Sequence, residues 1–184
     1  MIENEFKIML TAAQYERICE EFSWDDTVLQ TNYYYDTENL ELSTRRITAR
    51  VREINGEFFL QMKLPTGNEF SRIELEKKLE NLPEAIPGET LSGLSKVDGL
   101  PNVNLLGKLF TKRLVKRFSG AEIDLDLSEY FGKRDYEIEI EFTNEIQARE
   151  LLAKVRGIIG DNSPQEVCKG KIHRFLDEFK AKSE

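Results

Sequence analysis

Charged and apolar residues alternate along most of the strand-like stretches of this chain. Glu3, Glu5 and Lys7 alternate with Asn4, Phe6 and Ile8, and Glu137, Glu139 and Glu141 alternate with Ile138, Ile140 and Phe142. Arg50 and Arg52 sit among Ala49, Val51 and Ile54, while Arg72, Glu74 and Glu76 lie beside Ile73 and Leu75. Successive side chains of a strand point to opposite faces, so each run is oily on one side and ionic on the other. A half-buried sheet with its charged face in water accounts for any one run. The repetition of Glu, Arg and Lys, with few of the Ser, Thr and Gln that a solvated face tolerates, points instead to a closed sheet. Its ionic face would line a lumen and its oily face would be covered by helices.

The same pattern predicts the elements. Strands are expected at about 2–9, 28–36, 46–54, 57–64, 69–78, 111–118, 121–127 and 135–143, with Asn55-Gly56 as a hairpin turn and a second turn around Gly132. Thr11 and Gln14 have the spacing of a capping box for a first helix. A helix is expected from Asn144–Gln147 to about Ile159, and a last one from Ser163 as cap, with Pro164 and Glu166 following. Residues 81–109, with Pro83, Pro87 and Pro101 and no clean period, read as short helices and loops and as a candidate lid or partner surface. The fold class is therefore mainly β (α+β): an antiparallel closed β-barrel of about eight strands, a tunnel with a polar lumen and flanking α-helices.

Length and composition narrow this reading. The chain has 184 residues, enough for one sizeable domain, and no linker or repeat divides residues 1–184. No apolar run approaches the roughly 20 residues that span a bilayer, and the N-terminus enters a charged strand directly, so neither a membrane segment nor a signal peptide is expected. Cys19 and Cys168, both placed in helices, read as free thiols of a reducing, cytoplasmic protein. The net charge of -8 argues against nucleic acid or an anionic membrane as the main partner. His173, the only histidine, falls in the last helix as a surface or capping residue, which leaves little material for a histidine triad or a zinc site.

The alternation turns Lys7, Arg50, Arg52, Lys63, Arg72, Arg113 and Arg117 inward together with Glu3, Glu5, Glu74, Glu76, Glu122, Asp124, Asp126, Glu137, Glu139 and Glu141. Desolvating so many charges costs several kcal/mol each unless they pair, stay wet or bind something charged. Basic groups clamp phosphate oxygens, whereas carboxylates supply hard ligands for Mg2+ or Mn2+. Both together suit a polyphosphate bound with its metal ions.

Glu3-Asn4-Glu5-Phe6-Lys7 resembles the ExExK pattern of the CYTH domain family, also called triphosphate tunnel metalloenzymes. Further matches follow in chain order: Arg50-Val51-Arg52, Lys63, Arg72-Ile73-Glu74-Leu75-Glu76, Arg113, Asp126 with Gly132, and Glu137-Ile138-Glu139. Lys169-Gly170-Lys171-Ile172 resembles a family segment with a lysine near the active centre, although Ile172 replaces the family's usual aromatic.

The resemblance implies an eight-stranded tunnel and divalent-metal chemistry on a triphosphate. Glu3, Glu5 and Glu139 would be first-choice metal ligands, with Asp126 and Glu137 in support. Lys7, Arg50, Arg52, Lys63, Arg72, Arg113 and Lys171 would bind phosphate, and Lys7, Arg52 and Lys171 would serve catalysis. Glu74 and Glu76 would hold metal or orient arginines, and of the two lysines Lys171 is the one expected inward. Hydrolysis of inorganic triphosphate or a small organic triphosphate leads. Cyclisation of ATP to cyclic AMP by a class IV-type adenylyl cyclase and a non-catalytic polyphosphate- or nucleotide-binding module are the alternatives. The expected partner is a small triphosphate, and the expected assembly a monomer or homodimer.

Overall fold

The computed structural model describes residues 2–68, 70–161 and 168–183. Eight antiparallel strands close into a barrel: β1 (Ile2–Leu10), β2 (Asp26–Asp36), β3 (Thr48–Ile54), β4 (Glu57–Pro65), β5 (Ser71–Leu79), β7 (Val103–Phe118), β8 (Ala121–Tyr130) and β9 (Lys133–Phe142). Around the barrel the order is β2-β3-β4-β5-β1-β9-β8-β7, and β7 returns to β2 along Asp26–Asp36. The short β6 (Ala85–Ile86) adds to β7 outside the ring. Among the described residues five helices flank it: α1 (Ala12–Glu21), α2 (Glu41–Thr44), α3 (Gly88–Ser95), α4 (Glu145–Ile159) and α5 (Lys171–Ser183).

Local chemistry accounts for the joints. Asn55-Gly56 and Phe131-Gly132 each turn a hairpin with two consecutive positive φ angles, the twist that a tight antiparallel connection needs. Thr11 and Gln14 form the expected capping box, and Asn144 caps α4. Ala148, Leu151, Leu152, Val155 and Ile159 make the buried stripe of α4, which packs with Tyr15 and Ile18 of α1 on the outward residues Phe6, Ile8, Ile123, Leu125, Ile138 and Ile140. Leu91 of α3 covers Ala49, Val51, Leu60 and Met62 on the opposite wall. In a third cluster Phe175 and Leu176 of α5 pack on Tyr34, Leu109 and Tyr130. There α5 enters one end of the barrel.

Four expectations change. The strand expected at 111–118 begins at Val103, so the 81–109 segment holds β6, α3 and the first part of β7. Its signal was broken by Gly107 and by a bulge at Tyr34/Tyr35, which interrupt the alternation. A Cβ at Gly107 would lie 3.1 Å from the Phe175 ring, so the glycine also makes room for α5. The last helix begins at Lys171, and Cys168 precedes it in non-helical chain; the expected cap at Ser163, Pro164 and Glu166 lies outside the described residues. The strand expected from 69 is described from Ser71.

The fourth change is α2, whose single turn carries no periodic signal. Asp36 organises it by accepting from the backbone N–H groups of Thr37, Leu42 and Ser43. It ends in a Schellman motif, Arg46 N–H to Ser43 and Ile47 N–H to Leu42, with Arg46 at φ 58 where glycine is usual. A left-handed non-glycine residue costs about 1 kcal/mol.

Phe175 is fully buried, with its ring 4.9 Å from Tyr34 and 4.8 Å from Phe131. Phe175→Ala is expected to lower stability by about 3–5 kcal/mol in urea unfolding; a loss below about 1 kcal/mol would mean that α5 is not seated in the barrel end.

Candidate functional site

Inward residues of the strands surround a cavity of about 660 Å³. At one end Glu122 and Glu141 line an open mouth, and the exposed Arg117, outside that lining, pairs with Asp26 at 2.5 Å and Glu122 at 3.0 Å. At the other end α5 lies across the lumen and delivers Lys171.

The centre is a dense ion network. Lys171 Nζ sits 2.7 Å from Asp126 and 3.0 Å from Glu139, and also donates to Glu137. Arg113 grips Asp126 with two nitrogens at 2.8 and 2.7 Å, reaches Glu139 at 2.6 Å and pairs with Asp124. Lys7 lies 2.6 Å from Glu139 and 3.4 Å from Glu5. Burial by itself would lower the pKa of Lys7 and Lys171, but the carboxylates around them outweigh it and hold both above their ordinary values. Burial likewise pushes Asp126 and Glu139 up, and the cations more than reverse it. Lys169, in contrast, stays outside on Asp177 at 2.8 Å. Lys171 is thus the inward lysine, because α5 begins there and its first turn faces the lumen.

β3 lies diametrically across the barrel from β9 and is differently endowed. Arg50 donates to Gln61 at 2.8 Å and reaches Glu74 only at 3.4 Å. Arg52 donates to Asn32 at 3.0 Å and has no ion pair among the described residues. Burial, then Arg50 and Arg113, bring its pKa down to about 9. Lys63 pairs with Glu3 at 2.5 Å, Arg72 donates to the Ser71 carbonyl at 2.9 Å, and Glu76 accepts from Gln61 at 2.6 Å.

The acids toward the open mouth are short of cations. Oxygens of Glu3, Glu5 and Glu141 lie within 4.8 Å of one another, as do those of Glu122, Asp124 and Glu141. Burial, then Glu3 and Asp124, push Glu141 up to about 8; burial, with Asp126, Glu139 and Glu122 adding, raises Asp124 to about 7 against the pull of Arg113. Asp124 Oδ1 is buried with no hydrogen-bond partner. Clustered hard oxygens with an orphaned acceptor fit a Mg2+- or Mn2+-type ion. A third cluster, Asp126, Glu137 and Glu139, has the same spacing but is occupied by Lys171 and Arg113.

Several participants were given no role by sequence reasoning, Glu122 and Glu141 of the open mouth among them. Arg174, one turn into α5, binds Glu137 at 2.6 Å and Asp135 at 2.7 Å; nothing in a helical stretch marks it. Asp124 was placed in the lumen by alternation alone. Asn32, fully buried, anchors Arg52 while its own Nδ2 lacks a partner, and the inward series Gln30, Asn32, Tyr34 could have found it.

A family model described as the CYTH domain matches residues 1–167. The "Putative triphosphatase YjbK" of Bacillus subtilis (strain 168) is 31% identical over 185 residues, covering 96% of this chain and 95% of the relative. A structure described as a "putative adenylate cyclase" from Bacillus halodurans superposes with a TM-score of 0.77 at 24% identity, covering 95% of this chain and 97% of the other. The Hippeastrum protein HpAC1, described as a "putative adenylyl cyclase" with a dominant triphosphatase activity, gives 0.72 at 22% identity, with 96% of each chain covered. At these identities the two structures establish the shared tunnel fold alone.

The raised carboxyls set a pH dependence. Asp124 and Glu141 bind protons more tightly in the folded protein than their unfolded values near 4, so their contribution to stability is full below about pH 4 and is lost as pH rises to about 7–8. In EDTA, urea midpoints are expected to fall between pH 5 and 8, and Mg2+ at pH 8 to reverse the fall. A midpoint that rises with pH, or ignores Mg2+, would contradict this electrostatic picture.

Proposed function

The chain belongs to the CYTH domain family, and on that premise we propose that it hydrolyses inorganic triphosphate or a small organic triphosphate inside the tunnel, with Mg2+ or Mn2+. The observation that carries this reading is the division of the lumen. One wall has carboxylates in excess of cations around Asp124 and Glu141; the facing wall has Arg52, half-buried and without a carboxylate partner among the described residues. An anion carrying its own divalent cation completes both at once.

Arg50, Arg52, Lys63 and Arg72 are the phosphate-holding wall, and the planar fork of Arg52 is held in place by Asn32. Glu3, Glu5 and Glu141, with Asp124 and Glu122, are the residues that would hold the divalent ion. Such an ion would offset phosphate charge and lower the pKa of a bound water. Asp126, Glu137 and Glu139 keep Lys7, Lys171 and Arg113 charged and aimed into the lumen, where they stabilise charge on the phosphates as it shifts toward the leaving group. Glu74 and Glu76 orient Arg50 through a direct contact and through Gln61. No side chain is needed as a nucleophile.

The tyrosines bear on the cyclase alternative. Tyr33 turns outward to Glu53, Tyr35 donates to the Pro83 carbonyl, and Tyr34, facing the lumen, has its ring packed on Phe175. None of the three offers a free aromatic face to a nucleobase, which favours hydrolysis over cyclisation.

Purified protein is expected to release phosphate from inorganic triphosphate with Mg2+ or Mn2+, to lose that release in Glu5→Ala, and to lose about 100- to 1,000-fold in Arg52→Ala. Silence across a panel of triphosphates from neutral to alkaline pH sinks the proposal. Cyclic AMP from ATP would select the cyclase, and tight metal-dependent binding without turnover the binding module.

A further inference from the structure

The cavity does not stop at the ion network. Beside α5 it continues to a second mouth lined by Ser43 and Arg46 from the α2–β3 corner, Arg72 from β5, and Lys169, Gly170 and His173 at the start of α5. The groups gathered there are basic. Arg72, Lys169 and Arg46 act electrostatically on His173 in one direction, and Asp177 acts in the other. The carboxylate of Asp177 is already engaged by Lys169 at 2.8 Å.

Arg46 is the notable member. Its guanidinium makes no hydrogen bond or ion pair among the described residues, and its backbone holds the left-handed position that a Schellman motif normally gives to glycine. An arginine kept where its backbone is disfavoured and its side chain is unpaired points to a use for the side chain.

We propose that this second mouth is an oxyanion site for inorganic phosphate, continuous with the lumen through Arg72 but centred on Arg46 and independent of a divalent ion. The fork of Arg46 takes two phosphate oxygens, and Arg72 and Lys169 add positive potential. His173, exposed at the rim, stands beside the anion. Partial burial, then Arg72 and the other cations, hold its pKa below the ordinary value, and a bound phosphate reverses that bias by offsetting the surrounding charge. If the tunnel hydrolyses triphosphate, the site receives orthophosphate as it leaves on the side opposite the open mouth. That consequence rests on the proposed activity; the binding site does not.

His173 is the only histidine in the chain, so its imidazole C–H signals in a proton NMR spectrum are unambiguous. Inorganic phosphate is titrated into the full chain in EDTA near neutral pH. The expected result is a saturable shift of the His173 signals in the millimolar range with a raised imidazole pKa, retained in Arg52→Ala and weakened about tenfold or more in Arg46→Gly. Arg46→Gly relieves the left-handed backbone and is expected to melt no lower than the parent; Arg46→Asn, also tolerant of that conformation, gives a second variant. A shift that is absent, persists undiminished in the Arg46 variants, or disappears in Arg52→Ala overturns the proposal. Turnover of triphosphate is measured separately, so loss of this site and loss of the proposed activity are distinguishable.

Discussion

Burying charge inside a closed sheet is the constraint on which the rest of this structure depends. A carboxylate moved into the barrel without a partner costs several kcal/mol, and β8 and β9 alone send Asp124, Asp126, Glu137 and Glu139 there. Arg113 answers from β7 by spanning Asp124, Asp126 and Glu139, and Lys7 answers from β1. The compensation is complete at the inner end of the lumen and fails toward the open mouth, where Asp124 keeps an orphaned oxygen. Site and stability are therefore one electrostatic problem, solved fully at one end and left unsolved at the other.

α5 joins the apolar and ionic halves of that solution. Phe175 and Leu176 fill the barrel end against Tyr34, Leu109 and Tyr130, while Lys171, one turn earlier, and Arg174, next to Phe175 in sequence, meet Asp126, Glu137 and Asp135. Neither half would be favourable alone. An apolar end cap without its cations leaves Glu137 buried with only Lys7, at 4.0 Å, whereas two cations without the aromatic seat would have no fixed position. Gly107 ties the arrangement to the wall, since its missing side chain is what lets Phe175 approach β7.

The two sides of the lumen also differ in kind. β8 and β9 use carboxylates each held by one or more cations, which fixes their positions. β3 presents long arginines held by neutral amides, Arg50 by Gln61 and Arg52 by Asn32. An amide orients a guanidinium without neutralising it, so the positive charge remains available to an incoming anion. Opposite β3 stand the carboxylates of β9, so the two sides of the lumen carry opposite charge.

The sequence by itself determined the barrel and most of its lining. Alternation with a period of two is a local property of strands, and the inward set from Glu3 to Glu141 follows from it once the sheet is known to close. Motif order added the family, capping residues placed the starts of α1 and α4, and Asn55-Gly56 and the turn around Gly132 placed two hairpins. Tertiary structure decided which charges meet. Lys171 faces the lumen and Lys169 does not because α5 begins between them, and Arg174 joins the site through a helix register that no strand pattern encodes. The first half of β7 was hidden because Gly107 and its bulge break the period on which such readings rest. Ion pairing is set by distances across the barrel, between β3 and β9 or between α5 and β8, and these depend on closure and tilt rather than on any local run of residues.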